Sequence, residues 1–120
     1  MNRDKFLKDI TSMAISDSIV SEIAAAYGCS LPQDVSQVLS VNKDGCFVEG
    51  GAFRRLLSTD EILHASAELH VDFTRHGILP LFDVGDNNFI VYDYKQGKWK
   101  KFNIVDETPF GVKSSLQDIL

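Results

Sequence analysis

The polar and apolar positions along this chain change period four times. From residue 3 to residue 44, apolar side chains recur every three or four positions. Phe6, Ile10 and Met13 share one face of a helix expected over 3–14. Ile19, Val20, Ile23, Ala24 and Tyr27 line a second helix, which Ser16 or Asp17 can cap and Gly28 can stop in the left-handed conformation. Leu31-Pro32 opens a third, because proline in a first turn forfeits no amide donor. Val35, Val38 and Leu39 form its stripe, which ends at Asn42-Lys43-Asp44-Gly45. After Gly45 the pattern shortens: Cys46–Glu49 and Ala52–Leu57 read as strands around a Gly50-Gly51 turn. Helical spacing returns at Ser58-Thr59-Asp60-Glu61, where Ser58 and Glu61 are placed as a capping box. Leu63, Ala67 and His70 mark that helix's inner side, and residues 72–76 add a turn.

The second half reads as sheet. Ile78–Phe82 is a strand whose Pro80 demands an edge or an irregular entry. Asp83-Val84-Gly85-Asp86-Asn87-Asn88 is a run of turn formers. Phe89–Tyr94 is apolar on both faces apart from Asp93, so it belongs in the middle of a sheet. A Lys95-Gln96-Gly97 loop leads to a returning strand over 98–104, and the tail from Ser114 ends as a short helix. The pattern predicts one α+β domain, residues 1–120, with an antiparallel sheet and helices packed on one side.

Composition narrows the function classes. Seventeen Asp and Glu against twelve Lys and Arg leave a net charge of −5. That balance argues against sequence-independent nucleic-acid binding, which works by neutralising phosphates. It suits a basic partner, and it also serves solubility alone. The N-terminus alternates charges with no apolar run behind them, and no stretch approaches the length of a membrane span. A cytoplasmic address with no membrane contact is therefore expected. Neither Cys29 nor Cys46 belongs to a C-x-x-C pair; Cys46 is expected in the core and Cys29 partly exposed. Eight of the twelve aromatic residues are phenylalanine, a side chain that favours burial.

Chemistry-bearing motifs are sparse. His64, His70 and His76 lie six apart, a spacing that puts no two on one helical face, so they read as solvated or capping side chains. The 83–88 run lacks the order of an EF-hand loop and its closing Glu. Nucleophile elbows, zinc helices and phosphate loops are all missing. No catalytic, cofactor or metal residue is expected. If Asp83, Asp86 and Asp93 share one rim of the sheet, a small hydrolase built on paired carboxylates is one reading. Of Arg54 and Arg55, one is expected to face solvent and the other to pair with a carboxylate such as Glu49. Trp99, among Lys95, Lys98, Lys100 and Lys101, reads as a solvated edge strand or as an aromatic contact.

The order of these motifs resembles that of the SUKH superfamily. The resemblance rests on Leu31-Pro32 opening a helix that closes on Asn42-x-x-Gly45, on the run from Ile78-Leu79-Pro80-Leu81-Phe82-Asp83 through Gly85-Asp86-Asn87 and Phe89-Ile90-Val91-Tyr92-Asp93, and on Gly97-x-Trp99. Val35 and the inserted Lys43-Asp44 depart from the commoner form and leave the subgroup open. The resemblance covers about residues 16–120. It implies an α+β domain that binds proteins and carries no catalytic residues. Bacterial members are largely immunity proteins for polymorphic toxins, and fungal members are linked to regulation of cell-wall assembly. The resemblance thus implies a non-enzymatic protein binder that neutralises a toxin's catalytic domain; the acidic balance of this chain suits a basic face on that domain, and a monomer or weak dimer is expected. An intracellular regulatory scaffold is the alternative. The contact residues expected at the exposed sheet rim are Asp83, Asp86, Asp93, Tyr94 and Trp99.

Overall fold

Local signals start the helices where the sequence places them. The Asn2 side chain accepts from the amides of Asp4 and Lys5 and opens α1 (Arg3–Ile10), which buries Phe6 and Ile10. It stops short of residue 14, and Met13 is half-buried beyond it. Gly28, left-handed at φ 65°, closes α2 (Asp17–Tyr27), and Pro32 is the N-cap of α3 (Gln33–Val41). Ser58 and Glu61 form the expected capping box at the start of α4 (Thr59–Leu69). Its buried residues are Ile62 and Ala65, so the inner face lies one position away from the Leu63–Ala67–His70 line. His70 is the left-handed C-cap. Two short helices follow, α5 (Phe73–His76) and, at the end of the chain, α6 (Leu116–Ile119).

The computed structural model describes residues 1–120 and builds one sheet as a meander. Strands β1 (Cys46–Phe47), β2 (Arg55–Leu56), β3 (Ile78–Gly85), β4 (Asn88–Asp93), β5 (Lys98–Asn103) and β6 (Thr108–Lys113) lie side by side in chain order, every pair antiparallel. The turn expected over 83–88 shrinks to Asp86-Asn87, both at positive φ, which is the geometry of a two-residue hairpin turn. Pro80 is accommodated beyond the reach of the short β2 and one residue before a β-bulge.

Helices cover both faces of the sheet, where the sequence pattern predicts one covered face. Successive residues of β4 point to opposite faces, yet Ile90 and Val91 are both buried. On the Ile90 face, Phe6 of α1 meets Phe82 edge-on at 5.9 Å. On the Val91 face, Phe73 of α5 packs 6.2 Å from Phe102. A central strand apolar on both sides requires this double cover, and the sheet's ends are what stay bare.

A surface for partners

The two ends of the central hairpins part the residues expected to form one rim. Asp83 pairs with Phe89, and Asp93 with Ile78, so the two aspartates lie at opposite ends of β3 and β4. Five residues of strand separate them, about 16 Å at 3.3 Å per residue. Asp83 is half-buried. It accepts from the Gly85 amide at 2.9 Å and sits 3.8 Å from Arg55, whose guanidinium is held bidentately by Glu61 at 2.8 and 2.9 Å. The arginine partner is therefore Glu61 rather than Glu49. Asp86, at the hairpin tip, is exposed and lines no cavity. Asp83 and Asp86 thus lack the common pocket that acid–base chemistry on a substrate would need.

At the other end, two of the expected contact residues belong to the interior. Trp99 is 1 % exposed; it stacks edge-on against Tyr92 at 5.3 Å, and its Nε1 donates to Asp34 at 3.4 Å. Asp93 is 5 % exposed. One oxygen closes the β4–β5 loop by accepting from the amides of Lys95 and Gln96, and the other takes Lys100 Nζ at 2.8 Å. Burial alone would raise its pKa, but the Lys100 ammonium and the Gln96 and Lys95 amides together hold it below the usual value. Tyr94 is half-buried, its hydroxyl 3.5 Å from the Tyr27 carbonyl. Lysines on either side make Trp99 look solvated in sequence, whereas the aliphatic stem of Lys100 follows its ammonium inward to Asp93.

The remaining reactive groups are quiet. His64 and His70 are exposed or nearly so, and His76 lies across Phe102 with Nε2 3.1 Å from Glu107. No three His, Cys, Asp or Glu side chains come together as a metal site. Cys29 is half-buried as expected; Cys46 is half-buried too, rather than in the core. Burial pushes both thiols up, away from the reactive thiolate.

Two surface regions stand out in their place. Residues 16–70 carry eight carboxylates against three cations, which accounts for the whole net charge of the chain. Helix α4 is the axis of this acidic band. One flank is a shallow groove of about 280 Å³ bordered by Glu22, Asp44 and Asp60 with one cation, Lys43; the other is a pocket that holds Glu68 beside the Arg55–Glu61–Asp83 cluster. The second region is aromatic. Phe47 (56 % exposed) and Phe53 (50 %) pack edge-on at 5.8 Å, and Phe110 (43 %) stands across a cavity of about 210 Å³ from Phe53. Three phenylalanines on the surface are more than solubility favours, and a strand-period reading could not separate them from core positions.

A family model matches this architecture over residues 14–120: the SMI1 / KNR4 family (SUKH-1). The chain belongs to that family. The match takes in every strand and all helices but α1, and it names the SUKH-1 subgroup that the Leu31–Gly45 motif left open. No curated protein and no solved structure matches the chain. Within the SUKH-1 frame, Trp99 and Asp93 hold the β4–β5 hairpin in place, and the exposed material lies on α4, at the Asp86 tip and around Phe53. No helix is long and apolar enough to cross a membrane.

Proposed function

We propose that this SUKH-1 domain is a non-enzymatic, cytoplasmic binding protein of the immunity type, which occludes the catalytic domain of a toxin. The family match over residues 14–120 carries the reading. The acidic band along α4 supports a partner with a basic face, such as a nuclease, because opposite potentials speed encounter and suppress wrong partners. Asp60 and Glu68 are exposed on that band, and Asp86 extends it to the hairpin tip. Of the five residues first expected at the contact, Asp86 and the half-buried Asp83 and Tyr94 remain available to it.

The test is capture of the partner from the source cell, followed by stopped-flow association of the purified pair. Joint replacement Asp60→Lys and Glu68→Lys is expected to slow association at least tenfold at low salt, and Asp86→Asn to slow it less. Wild-type association should fall steeply between about 20 and 200 mM salt, as steered encounters do. An association rate indifferent to both salt and charge reversal would refute the acidic-band reading. Capture of a housekeeping regulator in place of a toxin would favour the scaffold alternative.

A further inference from the structure

Phe53 and Phe110 flank an open cavity on the Ile90 face of the sheet. Val84 and Ile90 form its floor, and Ile119 of α6 closes one side. The cavity holds about 210 Å³, the room of a single large side chain, and both phenylalanine rings reach out of it into solvent. Its polar lining is Asn88 and two cations, Arg54 and Lys101, with no carboxylate.

Arg54 is the unusual member. Its Nη1 is buried and has no hydrogen-bond partner. Neighbouring Arg55 has Glu61 and Asp83, and Arg3, on the far side of Gly50, spends its guanidinium on the carbonyls of Leu120 and Gln117 and on Asp4. Burial first, then the like charge of Arg3, lowers the pKa of Arg54, so the environment opposes its charge and offers nothing to offset it. A guanidinium presents five donors in a fixed fork that a carboxylate fits. One nitrogen of that fork is buried without a partner, on a residue that lines an apolar cavity, and a carboxylate on this guanidinium would supply the missing counter-charge.

We propose that this groove is a second binding site, which takes an acidic segment of a partner protein by seating an apolar side chain between Phe53 and Phe110 and a carboxylate on Arg54. A protein segment fits better than a small anion, because the Phe47–Phe53 pair continues the apolar surface beyond the cavity. Lys101, opposite Ile90 on β5, supplies a second positive charge along the floor. The site's polarity is opposite to that of the α4 band, so it stands or falls separately from the function proposed above.

The experiment is an amide-resolved NMR titration of the full chain with two capped tetrapeptides, Glu-Leu-Phe-Glu and Lys-Leu-Phe-Lys. The acidic peptide should give saturable shifts at Val84, Ile90 and Phe110, and the basic peptide none there. Arg54→Gln and Phe53→Ala should each weaken the acidic peptide at least fivefold. Arg54→Gln removes a nitrogen that makes no hydrogen bond, so its spectrum should stay dispersed; if it does not, Lys101→Ala replaces it, with the same weakening expected. Equal response to the two peptides, shifts confined to other surfaces, or undiminished binding by these variants would overturn the proposal.

Discussion

A residue's neighbours in sequence are poor guides to its exposure when a strand is covered on both faces. Trp99 and Lys100 point to opposite sides of β5 and are both buried, one against Tyr92 and Asp34, the other on Asp93. Trp99→Ala is therefore expected to cost about 3–5 kcal/mol through the cavity it leaves. Asp93→Asn should cost about 3 kcal/mol, because Lys100 would keep its burial and lose its counter-charge. Both losses would appear as lower urea midpoints, and any binding defect should disappear once the folded fraction is accounted for. Asp86→Asn retains a residue type that tolerates the left-handed backbone at φ 54° and should shift the midpoint little.

At the scale of elements, the capping box at α4 does more than start a helix. Glu61 accepts from the Ser58 amide at 3.0 Å and takes both terminal nitrogens of Arg55, so it ties α4 to β2. The Arg55 hydrogen bonds outweigh the opposing effect of burial and lower the Glu61 pKa from 4.5 to about 2. A carboxylate whose folded value is depressed stabilises fully above its unfolded value, and that contribution fades as the pH falls from about 4.5 toward 2. Glu61→Gln should thus lower the urea midpoint at pH 7, with the gap to wild type narrowing by pH 3. The Ser58–Glu61 spacing was legible because both bonds are local. So were the hairpins of β3–β5, whose strand-forming runs are separated by local turn residues. Strand β6 was not: Pro109 and Gly111 fall within its six residues, and Gly111 adopts φ 60° at a bulge against β5. Only the lengthwise pairing with β5 makes it a strand. The groove was equally hidden, since Phe53 precedes β2, Phe110 lies in β6, and Arg54's lack of a partner is a property of space rather than of order.

For the whole molecule, the topology also sets the order in which contacts can form. Each strand hydrogen-bonds the strand that comes next in the chain, and β3 to β6 close through short loops and local hairpins, whereas β2 and β3 pair across the segment that carries α4 and α5. Chains rich in such local pairings fold fast, because little chain entropy is lost before each contact forms. Helix docking is long-range by contrast, and α1 shows it at its longest, with Phe6 reaching Phe82 and Arg3 reaching Leu120. That docking spans a long loop and is expected after the rate-limiting step. Phe6→Leu should consequently speed unfolding in stopped-flow chevrons and leave the refolding arm in place, a φ-value near zero. The α1 clasp would then act as a kinetic latch: it sets how long the folded state survives and leaves unchanged how quickly it is reached.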